Sequence, residues 1–128
     1  VSIIVIPCGK AKQSLPSAAR DLYIGTSFRL ARAAAEADGR DWLILSSRYG
    51  LVAPDTVIAP YEQVTKSTTD VQRLTAILRT QVRRGETVES WCPEAYNRAL
   101  IAAGAVVSEP LRGKRQGERA AWWKARVS

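Results

Sequence analysis

Ile3-Ile4-Val5-Ile6, closed by Pro7, is an unbroken run of β-branched residues with no polar alternate. A strand wetted on one face alternates apolar and polar residues, so a run without polar members is covered on both faces. Trp42-Leu43-Ile44-Leu45 repeats the pattern. Between such runs lie segments with helical spacing. Parallel strands need crossover connections, and these lay helices over both faces of a sheet. The chain therefore predicts an α/β fold.

The elements follow from local chemistry. Val1–Ile6 is predicted as the first strand and Pro7 to Lys12 as a loop. Residues 13–25, broken by Pro16 and Gly25, read as irregular. Thr26 or Ser27 caps a helix to about Ala37, with Ile24, Phe28, Ala31 and Ala35 on its core face. Trp42–Ser46 is the second strand and Ser47–Gly50 a turn. Leu51 to Tyr61, carrying Pro54 and Pro60, reads as a surface arm or short hairpin. Thr69 or Asp70 caps a helix whose stripe is Val71, Leu74, Leu78 and Val82. Thr87–Trp91 is the third strand. Pro93 suits the first turn of a helix ending near Ala103, with Gly104 as its stop. Ala105–Ser108 is the fourth strand, and Glu118–Val127 a last short helix. The expectation is one α/β domain over residues 1–128. Its sheet is mostly parallel and four-stranded, helices cover both faces in three layers, and residues 112–128 form a basic terminal helix.

Apolar residues make up 46 % of the 128, enough for a packed core. No apolar run approaches the ~18 residues of a membrane span, and the start lacks a basic segment before its apolar run. A cytoplasmic protein without membrane contact is expected. Histidine is absent and only Cys8 and Cys92 carry thiols, so neither a zinc site nor a disulfide framework is expected. No other metal or cofactor is indicated.

The net charge is +7. Arg112, Lys114, Arg115, Arg119, Lys124 and Arg126 against Glu118 place +5 of it in residues 112–128. With Trp122 and Trp123 that end suits a polyanion, lysines and arginines on phosphate and rings on bases. Alternatively it is a solubilising helix whose tryptophans close the core.

In open α/β sheets the ligand crevice lies beyond the carboxyl ends of the strands. Three loops meet there if the strands are parallel: Cys8 to Lys12, Ser46 to Gly50, and Trp91 to Pro93. The first offers Gly9 for close backbone approach and Lys10 and Lys12 for an anion, without P-loop spacing. Cys8 is either a nucleophile in an electropositive setting or an inert buried thiol. Asp21 and Glu62 are the carboxylate candidates for acid–base work in a chain without histidine. Asp21 has the rival role of capping a turn.

These segments also carry a resemblance. Ile6-Pro7-Cys8-Gly9-Lys10-Ala11-Lys12, Asp21-Leu22-Tyr23-Ile24-Gly25, Leu45-Ser46-Ser47-Arg48-Tyr49-Gly50-Leu51 and Pro60-Tyr61-Glu62 resemble a small bacterial and phage family of unassigned function. That family is similar to the YaaA peroxide-stress proteins and to a domain of archaeosine synthases. The match covers about residues 3–62 well and the C-terminal part loosely. It implies a YaaA-like fold, DNA binding, and base-processing chemistry by extension, although this chain is about half the YaaA length.

The expected function is action on nucleic acid or a nucleotide, with processing or exchange of a modified base at its N-glycosidic bond. Lys10, Lys12, Arg48 and Arg115 would hold phosphate with Ser47. Tyr49, Tyr61 or Trp91 would stack on a base. Asp21, Glu62 and Cys8 would carry the chemistry. The rivals are a non-catalytic DNA- or RNA-binding module, a nucleotide-sensing domain, and a phage-type inhibitor that binds a host protein.

Overall fold

A computed structural model of the chain describes residues 2–127. Five strands form the main sheet: β1 (Ile3–Pro7), β3 (Trp42–Ser46), β4 (Gly50–Val52), β6 (Thr87–Ser90) and β7 (Val106–Ser108). Their order is β4-β3-β1-β6-β7. β3, β1, β6 and β7 are mutually parallel, and β4 runs antiparallel along the β3 edge. The expected count of four is thus corrected to five. The extra strand is the return arm of a hairpin: the turn Ser47 to Tyr49 folds Gly50–Val52 back onto Ser46–Ile44.

β1 shows why an all-apolar run suits this position. Ile4 and Ile6 pack with Phe28, Ala31, Ala34 and Ala35 of α2 (Thr26–Asp38) and with Trp123 of α5 (Gln116–Val127). Val5, one residue out of phase, packs instead with Leu74 and Leu78 of α3 (Thr68–Leu78) and with Ala99 and Leu100 of α4 (Glu94–Ala102). Each fully buried side chain of this size contributes about 1.5–3 kcal/mol. The helices therefore lie on both faces, and the fold has three layers.

Helix ends differ from the expectations by a residue or two. Ser67 caps α3 in place of Thr69 or Asp70. Its hydroxyl accepts from the Asp70 N–H at 3.1 Å, and the Asp70 carboxylate accepts in return from the Ser67 N–H at 3.0 Å. This reciprocal box satisfies two N–H groups that the helix itself leaves unpaired. α5 begins at Gln116 and not at Glu118. Ile24 is exposed, so Ala34 takes its place on the core face of α2.

Residues 13–25 are more ordered than expected. β2 (Ser17–Ala18) pairs antiparallel with β5 (Val57–Ile58), and α1 (Ala19–Leu22) follows. This small ribbon ties the segment after β1 to the arm after β4. Among the described residues, no helix is long and apolar enough to cross a membrane.

Candidate functional site

The strand order reverses around β1: the chain leaves β1 for β3 on one side and reaches β6 on the other. Loops beyond the carboxyl ends of these strands diverge there and leave a crevice. In this chain a cleft of about 380 Å³ occupies that position. Cys8, Gly9, Lys10 and Lys12 come from the loop after β1, and Ser47 from the turn after β3. Pro93 and Tyr96 come from the start of α4. Glu62 to Lys66, a segment without helix or strand, forms the remaining wall.

Hydroxyl groups make the floor. Ser47 Oγ is the hub: Thr65 Oγ1 donates to it at 2.9 Å, and Tyr96 Oη lies at 2.9 Å. Cys8 Sγ sits 3.6 Å from Tyr96 Oη and 3.8 Å from Ser47 Oγ. Ser47 and Thr65 are only 2 % and 6 % exposed, so this network is held in place from below.

A second chain of hydroxyls runs beside it. Ser46 Oγ accepts from the backbone N–H groups of Arg48 and Tyr49, which shapes the turn, and donates to Tyr61 Oη at 2.9 Å. Tyr61 Oη in turn lies 2.6 Å from Tyr23 Oη. Burial disfavours the phenolate. It pushes the Tyr23 phenol up to about 12 and raises those of Tyr61 and Tyr96 as well. All three phenols are neutral hydrogen-bonding groups at neutral pH.

Lys12 is positioned above this layer. Its ammonium donates to the Lys10 carbonyl at 3.0 Å and lies 4.3 Å from the centre of the Tyr61 ring. A cation over an aromatic face is stabilised by the ring quadrupole. Lys10, Lys12 and Glu62 also line an adjoining hollow of about 550 Å³ with Pro60 and Tyr61. Arg48 and Tyr49 line a third hollow of about 330 Å³.

Of the residues singled out from sequence, Cys8, Lys10, Lys12, Ser47 and Glu62 meet in the cleft, with Tyr61 in the adjoining hollow. Three others lie elsewhere. Asp21 sits on α1, its carboxylate 3.2 Å from Arg32 Nη1 and 3.8 Å from Arg20 Nε, outside the cleft lining. Trp91 is fully buried. Its indole N–H donates to Glu89 at 2.8 Å and its ring meets the edge of Trp122, so it offers no face to a base. Arg115 is exposed near the start of α5, where its backbone N–H donates to Glu118.

The terminal tryptophans follow the packing alternative. Trp123 is buried in the core, and Trp122 is covered by Arg126, whose guanidinium lies 3.1 Å above its ring centre. Tyr96, Thr65 and Lys66 are cleft residues that were not anticipated. Tyr96 was within reach of the sequence, because it stands one helical turn beyond Pro93. Nothing in the sequence marked Thr65 or Lys66.

Among the described residues, no three of Cys, Asp and Glu come together as metal ligands. A family of unknown function, DUF6884, matches residues 3–125, and the chain belongs to it. Comparison with curated proteins gives no match.

Proposed function

We propose that this member of the DUF6884 family binds a nucleotide unit, free or within a nucleic acid, in the cleft above β1 and acts on its N-glycosidic bond. The observation that carries the reading is the convergence of Lys10, Lys12 and Lys66 with a single carboxylate, Glu62, above a floor of fixed hydroxyls. Lysines attract phosphate. Buried Ser, Thr and Tyr hydroxyls fix the orientation of a base or sugar through placed hydrogen bonds.

Glu62 is the acid–base group in this reading, since among the described residues it is the one carboxylate lining the cleft, and the chain has no histidine. It takes a proton from water as the water oxygen bonds to C1′ of the sugar. The bond from C1′ to the base nitrogen breaks. Its electron pair leaves on the base, which is protonated by solvent. Cys8 is the alternative nucleophile within the same cleft.

The test is incubation of pure protein with nucleotides and with oligonucleotides carrying modified bases, with mass spectrometry for released base. Release should be lost in Glu62→Gln while binding persists, and Lys10→Gln should weaken binding. Binding without release from any substrate would reduce the protein to a binding module. Absence of both binding and release overturns the reading.

A further inference from the structure

The three hollows adjoin one another. The cleft shares Lys10, Lys12 and Glu62 with the hollow beneath Tyr61, and shares Ser47 and Gln63 with the one beneath Arg48. Shared lining residues set them side by side at the carboxyl edge of the sheet, the cleft in the middle, as a groove in three parts. Among the described residues the charged side chains along it are Lys10, Lys12, Lys66, Arg48 and Arg73, with Glu62 alone acidic. Arg73 is committed in part to Asp70, at 2.8 Å. Arg48 has no acidic partner among the described residues. Its exposed guanidinium lies 5.7 Å from the Tyr49 ring centre.

We infer that this groove is a track for a single-stranded polynucleotide, with one unit seated in the cleft and flanking phosphates held by Lys10 and Lys12 at one end and Arg48 at the other. The inference rests on the reading that the cleft takes a nucleotide unit, and it names the substrate class.

A lone nucleotide would occupy the cleft and leave the Arg48 end unused. A row of cations tracking past a recessed pocket is instead the arrangement that follows a backbone. A duplex fits less well. A base held in a pair cannot enter a recess of about 380 Å³, whereas an unpaired one can. Extracting a base from a duplex costs a few kcal/mol.

The experiment measures fluorescence anisotropy of labelled deoxy- and ribo-oligonucleotides at low salt. The ligands are a dinucleotide, a single strand of about eight nucleotides and the same strand as a duplex, with a nucleoside monophosphate as competitor. The expected result is at least about tenfold tighter binding of the longer strand than of either the dinucleotide or the duplex. Arg48→Gln should weaken the longer strand alone and lower its salt slope by about 0.7.

Equal affinity for the dinucleotide and the longer strand, an Arg48→Gln variant indistinguishable from wild type, or equal or tighter duplex binding each overturns the track. Under those outcomes the cleft reading stands if Lys10→Gln still weakens the monophosphate. No binding of any of these ligands overturns both.

Discussion

Gln81 grips the peptide unit at Leu51 from both sides: its Oε1 accepts from the Leu51 N–H at 2.8 Å, and its Nε2 donates to the Leu51 carbonyl at 3.3 Å. Nε2 also donates to the Tyr49 carbonyl at 3.1 Å. One side chain beyond α3 thus fixes the edge strand β4 and, through Tyr49, the turn that carries Ser47 and Arg48.

Gly50 lies under this clamp with φ of 75°, where a side chain is strained. An added Cβ would also come 2.8 Å from Ile77 Cγ2. Gly50→Ala should cost about 1–3 kcal/mol, read as a lower urea midpoint. Gln81→Ala should cost about 1 kcal/mol, because Leu51 can then bond to water. Equal stability of Gly50→Ala and wild type would contradict the geometry.

The capping box of α3 predicts a loss of about 1 kcal/mol for Ser67→Ala. The Asp70 carboxyl is held below its ordinary range, first by the Ser67 N–H, then by the Lys66 N–H and Arg73. A depressed folded value stabilises above the unfolded pKa, near 4, and the contribution fades as pH falls through the folded one. Thermal melts between neutral pH and pH of about 2 should therefore show a smaller acid loss for Asp70→Asn than for wild type.

The phenols act at the other end of the pH scale. An unfolded tyrosine ionises near pH 10, whereas burial holds Tyr23 neutral to about 12. The folded state then binds more protons than the unfolded one, so stability is full below about pH 10 and falls as pH rises toward 12. The expected slope is up to about 1.4 kcal/mol per pH unit for each such phenol. Denaturant titrations in that window should show the decline, and a Tyr23→Phe, Tyr61→Phe double variant should flatten it.

Thr65 anchors the irregular wall that carries Glu62 and Lys66, through its bond to Ser47. Thr65→Val keeps the side-chain shape and removes that bond, at about 1 kcal/mol. If the cleft takes a nucleotide as proposed, affinity for it should fall by more than this loss of stability explains. Calorimetric binding at a temperature where the variant is fully folded checks it.

How far these features were legible depended on how local their causes are. β1 and β3 announced themselves because an all-apolar run has one structural use. β4 did not, since Gly50-Leu51-Val52 is too short to show a period and gains its place from the hairpin turn and Gln81. The burial of Trp91 is illegible in the sequence for a related reason. Side chains alternate along β6, so Glu89 and Trp91 share a face while Val88 and Cys92 share the other. That a distant helix would cover the Trp91 face is a tertiary fact. In the cleft, Cys8, Lys10 and Ser47 follow directly from strand ends. Thr65 and Lys66 belong to a segment whose course is set by side-chain contacts alone.

The segment from Arg112 onward, which carries +5 of the chain's +7, also plugs one flank of the interior with Trp123 of its helix. Electrostatic attraction and mechanical integrity consequently share that end. A protease nick at the exposed loop around Gly113 would unroof the Phe28 side of the core along with stripping cations. Discharging the tail without loosening the body calls for neutral replacement at an exposed position ahead of the helix, such as Arg115, with both tryptophans left in place.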